Sequence, residues 1–329
     1  MPKGSNQKVK LYYLAKIMVE KTDDEHSLTL PEILRYLEEY GVTADRKCLY
    51  DDLATLEVLG IDIIGQRIGK EYLYHVGQKK FEIAELKLLV DAIQSSKFIT
   101  EKKSNELIKK LTGMASEYEA REMKRQVVVQ GRIKTTNESI YYIVDEIHKA
   151  IANNKKIVFE YYQWTIDRKL EKKRKDLYEV SPWALMWDNE NYYLIAYVES
   201  EHKIKHYRVD KMRNIEILRE RRQGKDIFED FNLASYAKMN FSMFGGEVTE
   251  VSIEFANSLV GVFLDRFGKD IPIHKTEKEG WSQTWVKVAM SDQFLGWIFA
   301  LGENVKITGP DKVVEACKKK LKGLTKNYK

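Results

Sequence analysis

A change of hydrophobic period near residue 154 constrains this chain more than any other feature. Up to Asn153, one short extended stretch aside, apolar residues recur three and four apart, the spacing of helices with one buried face. From Ile157 onward they come in short runs rich in strand-forming residues. The two patterns call for separate layers, so the chain is expected to be an α+β multi-domain protein. Its 329 residues leave room for two or three cores of ordinary size.

Within the first 80 residues the helical pattern is punctuated in a specific way. Leu11, Leu14, Ala15 and Met18 mark one face of a predicted helix from Val9 to Glu20. Thr29, with Pro31 and Glu32 behind it, reads as a capping box opening a second helix with Ile33, Leu34 and Leu37 as its buried stripe. Gly41 supplies a left-handed stop. Thr43 is expected to cap a third helix reaching about Leu59, with Asp45 in its first turn, so that about three residues separate the two helices. Leu49, Leu53 and Leu56 fall on one side of that helix, and Lys47, Tyr50, Asp51 and Ala54 on another. Ile61 to Arg67 and Glu71 to His75 read as two strands around Ile68-Gly69-Lys70. The expectation for residues 1–80 is a winged helix-turn-helix, a DNA-binding domain.

Residues 81–136 are expected to be a helical linker that also dimerises, with a charge-rich boundary from Ala115 to Thr136 relieved by Val127 to Val129. A helix from Asn137 to Asn153, with Ile140, Val144, Ile147 and Ile151 on one face, then leads into five predicted strands, Ile157 to Tyr162, Leu177 to Trp187, Tyr192 to Val198, Ile204 to Val209 and Ile215 to Leu218. One helix followed by five short strands suits a small Sm-like or SH3-like β-barrel over residues 137–220. The last region, 246–329, alternates strands with helices at about Asn257 to Phe267, Asp292 to Leu301 and Asp311 to Lys322, a compact α/β unit.

Charge narrows the function. The net charge is +5, yet residues 1–80 carry 12 Lys/Arg against 13 Asp/Glu, which argues against coating DNA by charge alone and for a few well-placed cations. Cys48 and Cys317 fall in different predicted domains, so a disulfide framework is not expected and a reducing, cytoplasmic setting is. The apolar runs are too short for a membrane span, and the N-terminus lacks an uninterrupted apolar core. The six histidines form no HExxH or paired-cysteine metal pattern, Gly65 to Lys70 misses the phosphate-loop spacing, and Ser181 lacks a nucleophile-elbow context. No enzyme activity, cofactor or metal is expected.

The run Val42-Thr43-Ala44-Asp45-Arg46-Lys47-Cys48-Leu49-Tyr50-Asp51-Asp52-Leu53, followed by Leu56 and Gly60-Ile61-Asp62, resembles the recognition helix of winged-helix regulators that precede WYL domains. Ser181 to Leu185, Tyr192 to Tyr197 and His206 to Met212 resemble the successive strand motifs of the WYL domain, in order. Trp297 through Gly302 to Pro310 and the closing helix are similar to the family's WCX extension. Tyr192 stands where the family's eponymous Trp is usual, Lys211 where a second Arg is, and Cys48 where Thr is commoner, a volume that a buried Cys fills. Lys keeps the charge but not the planar fork. The resemblance implies a bacterial transcription regulator whose WYL domain senses a nucleotide or single-stranded nucleic-acid effector. Its alternative is a nucleic-acid-sensing accessory protein of DNA repair or phage defence.

The DNA-contacting candidates are Arg46, Lys47, Tyr50 and Asp51 on the third helix and Arg67 and Lys70 in the wing, against double-stranded operator DNA. A solvated helix face accounts for the same pattern. In the middle domain, strand alternation puts His206 and Arg208 on one face, with Ser181 and Tyr193 on neighbouring strands and Lys211 just beyond. That set suits phosphate and ribose, because Arg supplies charge-assisted bonds and hydroxyls complete them. Ordinary barrel packing accounts equally well for His206 and Tyr193. The loop Arg168 to Lys175 holds six cations against Glu171, enough to track a single strand, although charge runs are usually solvated. Trp183 and Trp187 are expected to be core residues. The whole is expected to work as a homodimer.

Overall fold

The computed structural model describes residues 7–126, 134–229 and 232–328; the predicted apolar run Val127 to Val129 lies outside them. The chain divides into two compact units, residues 1–138 and 139–329.

The first unit opens with α1 (Gln7–Lys21), β1 (Leu28–Thr29), α2 (Leu30–Glu39) and α3 (Arg46–Val58), then β2 (Ile63–Ile68) and β3 (Glu71–Val76). The strands form an antiparallel sheet of order β1-β3-β2. Leu14, Ile17, Met18, Ile33, Leu37, Leu49, Leu53 and Leu56 share one core with Tyr74 and Val76 of β3. The Thr29 hydroxyl accepts from the Glu32 amide while Glu32 accepts from the Thr29 amide, so the reciprocal cap forms, and Gly41 takes φ +70°. Thr43, however, is not the cap of α3. Val42 plunges into the core with its amide on the Leu37 carbonyl, and Ala44 packs against the same core. The backbone therefore stays extended until Asp45, which occupies the N-cap position without a side-chain cap bond. Six residues, not about three, separate α2 from α3.

Residues beyond the hairpin form α4 (Ile83–Ser95), α5 (Glu101–Thr112) and α6 (Glu117–Gln126), the last inside the stretch expected to be a boundary without pattern. Leu86, Val90, Ala115 and Met123 make their core. Apart from Met123 and Ala120 the ties that hold α6 are polar, which is why apolar periodicity missed it. Ser116 donates to buried Asp23 at 2.5 Å, Lys79 pairs with Glu119 at 2.6 Å, and Tyr118 stacks on His26.

The second unit starts with α7 (Ile140–Ala152), whose buried face is Ile140, Ile143, Ile147 and Ala150 rather than the predicted set through Val144 and Ile151. Then come β4 (Lys155–Trp164), β5 (Leu170–Lys172), β6 (Tyr178–Asp188), β7 (Asn191–Val198), β8 (Lys203–Arg208) and β9 (Met212–Arg221) in one curled antiparallel sheet of order β5-β4-β6-β7-β8, with β9 also paired to β4. The helix lies against β4, β6 and β9. β5 falls inside the stretch read as a basic loop, because Leu170 and Lys172 pair with Trp164 and Tyr162 across a hairpin.

Short helices α8 (Lys225–Phe228) and α9 (Leu233–Met239) lead to β10 (Val248–Ala256), α10 (Val260–Phe267), β11 (Ile273–Lys275), β12 (Trp281–Ala289), α11 (Asp292–Ala300), β13 (Val305–Gly309) and α12 (Asp311–Lys326). The sheet, of order β11-β12-β10-β13, is covered by the helices over Phe255, Phe263, Phe294 and Val288. Among the described residues no helix is long and apolar enough to cross a membrane.

Candidate functional site

Two polar surfaces carry the candidate residues. On α3 the division by helical spacing is clean. Leu49, Leu53 and Leu56 are buried, while Arg46, Lys47, Tyr50, Asp51 and also Cys48 are exposed. Cys48 is thus a surface thiol and fills no core space. Tyr50 is tethered, since its hydroxyl bonds that of Tyr74 on β3; burial, then this neighbour, pushes the Tyr74 hydroxyl above its ordinary pKa. Lys10 of α1, itself buried, pairs with Asp52 at 2.5 Å and fixes the rotation of α3 about its axis. Among the described residues neither Arg46 nor Lys47 has an ion-pair partner, so both cations stand free in solvent. The β2–β3 turn, with Gly69 at φ +63°, likewise exposes Arg67 and Lys70.

The second surface lies at the end of β8. Arg208 sits directly across from Tyr193 of β7. Its Nε and Nη2 donate to the two carboxylate oxygens of Asp210 at 3.0 and 2.9 Å, and Nη2 also donates to Oδ1 of Asn191 at 2.9 Å. Its backbone amide donates to the Tyr161 hydroxyl at 3.1 Å. The guanidinium is therefore held as an oriented fork with about a third of the side chain in solvent. The bonds to Asp210 come first in stabilising its charge.

Around it cations outnumber acids. Lys211 has its ammonium pKa lowered, by burial first and then by Arg208 and Lys173. Arg213 donates to the carbonyls of Asp210 and Met212 at 2.8 Å each, and burial disfavours its charge too. Three partly buried cations facing one carboxylate make a place where an incoming anion relieves repulsion as well as forming bonds. Tyr161 and Tyr193 wall it; burial pushes the Tyr161 hydroxyl up to about 12, so it remains a neutral donor and acceptor.

Of the predicted effector set, the structure brings Arg208, Tyr193 and Lys211 together. His206 shares their sheet face but is engaged elsewhere. Its Nε2 lies 2.8 Å from the Tyr236 hydroxyl of α9, and it hydrogen-bonds the backbone at Met243. Burial holds its pKa below the usual histidine value. Ser181 is further off. It pairs with Tyr197, and its buried hydroxyl accepts from the Gln223 amide at 2.8 Å. Asp210, Asn191, Tyr161 and Arg213 were not in that set. Asp210 and Arg213 lie within or next to the His206–Met212 motif, so their proximity was visible, but the fork that Asp210 and Asn191 hold depends on a turn and a cross-strand neighbour.

The basic hairpin of β4 and β5 projects Trp164 and a fully exposed Ile166. Two of its cations are already occupied. Arg174 lies 3.6 Å over the Tyr178 ring, and Lys172 pairs with Glu160. Trp183 is half-buried, stacked between Phe228 at 4.7 Å and Arg222 at 4.1 Å. Trp187, by contrast, is half-exposed rather than a core residue.

A WYL domain family model matches residues 142–217 and a WCX domain model matches residues 247–325. No curated protein matches the sequence. Among solved structures, the proteasome accessory factor B/C (PafBC) of Arthrobacter aurescens is similar at 17% identity and a TM-score of 0.28, over 94% of this chain and 46% of that one. The chain thus spans less than half of that relative. A structure described as a CRISPR Cas-related protein is similar at 12% identity and a TM-score of 0.36, over 97% of this chain and 84% of that one. The curled sheet that carries Arg208 belongs to a WYL domain, and the sheet and helices that follow it belong to a WCX domain.

Proposed function

We propose that this chain is a DNA-binding transcription regulator whose WYL domain senses a nucleotide or a single-stranded nucleic acid and thereby changes how the N-terminal region grips duplex DNA. In this reading α2 and α3 are a helix-turn-helix, α3 enters the major groove with Arg46, Lys47, Tyr50 and Asp51, and the β2–β3 hairpin is a wing whose Arg67 and Lys70 reach the phosphate backbone. The protein acts as a cytoplasmic homodimer, bonded through the helices of 81–136, and binds rather than transforms its effector. Regions 1–80, 81–136, 137–220 and 246–329 are its working parts.

The observation that carries the reading is the Arg208 fork. A guanidinium whose Nε and Nη2 hydrogens are held by Asp210 and Asn191 is fixed in place with its Nη1 hydrogens left for an incoming phosphate oxygen, and the excess of cations that Lys211 and Arg213 add selects an anion. For regulation, the effector must favour one arrangement of the DNA-binding parts over another. The test is a mobility-shift titration of duplex from the chain's own upstream region, with and without short single-stranded oligonucleotides. A specific duplex complex that Lys47→Ala abolishes, and whose response to oligonucleotide Arg208→Ala abolishes, is the expected result. Duplex binding indifferent to oligonucleotide defeats the sensor half of the reading, and unchanged binding by Lys47→Ala defeats the helix assignment.

A further inference from the structure

The β6–β7 turn has a second side. Asn191 at its end holds Arg208, while Asp188 at its start faces a separate cavity of about 390 Å³ shared with the WCX region, lined by Phe241, Arg266, Gln293, Gly296 and Trp297 among others. A volume of this order lies in the range of small-ligand sites.

The chemistry of the lining is unusual for a structural gap. Arg266 is half-buried, its guanidinium 4.1 Å from the Phe241 ring, and it donates through Nη2 to the Asn240 carbonyl at 2.8 Å. It forms no ion pair with any carboxylate among the described residues. Asp188 is close enough for Arg266 to stabilise its charge, yet burial dominates and holds its carboxyl above the ordinary range. It accepts from the Asn189 backbone amide and, at 3.5 Å, from the Asn189 side-chain amide, whose other hydrogen goes to Ser242 at 2.8 Å. A cation and a carboxyl thus line one cavity, both partly desolvated and each only partly satisfied by local bonds, without joining in a salt bridge, an arrangement that a ligand bonding both would improve. Trp297, 5.4 Å from Phe241 between ring centroids, adds an aromatic wall, and Gln293 a further amide.

A simple phosphate or carboxylate would meet Arg266 but be repelled by Asp188, and a simple amine would meet the reverse. A planar ligand with two adjacent donors on one edge and two acceptors on another fits both. Among the nucleobases guanine has that pattern, N1–H and N2–H₂ toward a carboxylate and O6 and N7 toward a guanidinium, with a face to stack on an aromatic ring. We propose that this cavity is a guanine-selective base pocket, with Asp188 reading the N1/N2 edge, Arg266 the O6/N7 edge and Trp297 the base face. It deepens the effector reading above and rests on it for the expectation that the base arrives as part of a nucleotide or a single strand.

The experiment is a calorimetric titration of the full-length chain with guanosine, adenosine and xanthosine monophosphates, and in parallel with oligo-dT carrying either one dG or none. The wild type is expected to favour guanine over adenine by about tenfold or more, as nucleotide or within the strand, the scale of one good bidentate base contact. Asp188→Asn is expected to transfer the preference to xanthosine, whose 2-carbonyl accepts from the new amide while N1–H still donates to its oxygen. A merely structural Asp188 would not produce that switch. Gly296→Leu is a second check. Nothing lies within 4 Å of a Cβ placed at Gly296, so the larger side chain fills the cavity without a built-in clash and should erase the preference. No guanine preference in the wild type in either form, or one that survives Gly296→Leu, overturns the pocket. Oligo-dT binding that needs Arg208 but ignores dG leaves the sensor reading standing and removes this one. Guanosine monophosphate binding that depends on Asp188 without any oligo-dT binding supports the pocket and identifies the free nucleotide, not a single strand, as the source of the base.

Discussion

The two cationic surfaces of this molecule are built on opposite principles. On α3, Arg46 and Lys47 stand in solvent without carboxylate partners among the described residues, carried by a helix positioned by buried Leu49, Leu53 and Leu56 and by the Lys10–Asp52 pair. At the end of β8, Arg208 is half-buried and already committed to Asp210 and Asn191 before any ligand arrives. Free cations suit a polyanion met over a broad area, where released counterions supply the driving force and geometry is adjusted on contact. A clamped fork suits a single anion met in one orientation, because the cost of ordering the side chain has been met in folding. Salt and side-chain shape should therefore separate the two surfaces experimentally.

The largest effect is expected at the clamped site. Arg208→Ala should lower oligonucleotide affinity by about 2–3 kcal/mol, the range for losing charge-assisted hydrogen bonds. Arg208→Lys should recover little of it, since an ammonium cannot reproduce the planar group that bonds Asp210 and Asn191 on one edge and leaves Nη1 toward the ligand. Fluorescence anisotropy with a labelled strand reads both. Full recovery by Lys would mean that the site needs only charge, and the contrast with α3 would vanish. On α3, Lys47→Ala should weaken duplex binding by about 1–2 kcal/mol and make the log–log salt dependence shallower by about one. Effector binding through Arg208 should show a weaker dependence on salt than duplex binding does. Equal slopes for the two would break the comparison.

A third measurement asks whether α3 depends on its scaffold as claimed. Thr29→Ala removes the hydroxyl side of the Thr29–Glu32 cap at the start of α2, which packs on α1 and α3. The N-terminal unit should lose about 1 kcal/mol of unfolding free energy in urea, while oligonucleotide binding at Arg208 stays as it was. A loss of effector affinity of similar size would show that the two surfaces are not separately supported.

The same contrast explains how much was legible in the sequence. Whatever depends on neighbours three or four residues away was readable: the Thr29–Glu32 box, the leucine stripe of α3 and its exposed opposite face, and the hairpin around Gly69. The length of the turn before α3 was not, because it is set by Val42 reaching a core built from distant helices. Nor was α6, whose ties are the polar pairs of Asp23, Lys79 and His26 with residues about ninety or forty positions away. Around Arg208, strand alternation placed His206 and Arg208 on one face, but alternation says nothing of what covers that face. The chain's own α9 takes His206, and the Gln223 amide takes Ser181. The Arg208 clamp rests on Asn191, a cross-strand neighbour that a linear reading has no means to single out.

That cover over His206 gives the smallest and most specific prediction. Tyr193, Ile195, Ala184 and Met186 form an apolar cluster with Met243, against which Tyr236 and Ala237 of α9 pack, and His206 closes it with the bond to Tyr236. Tyr236 keeps its proton throughout the neutral range, since burial pushes its hydroxyl up to about 12. The titrating partner is then His206 alone. Burial lowers its folded pKa below the ordinary 6.5, so the folded state binds the proton less readily than the unfolded chain does. Its contribution to stability is complete above about pH 6.5 and declines as the pH falls from there through the lowered folded value. Thermal unfolding of the second unit should therefore drop on acidification below neutrality, and His206→Gln should flatten that drop while leaving Arg208, committed to Asp210 and insensitive to this range, as good a ligand as before. If acidification instead weakened effector binding without touching unfolding, the proton would be acting on the anion or its clamp, and the division between a covered end and an open end of the same strand would have to be redrawn.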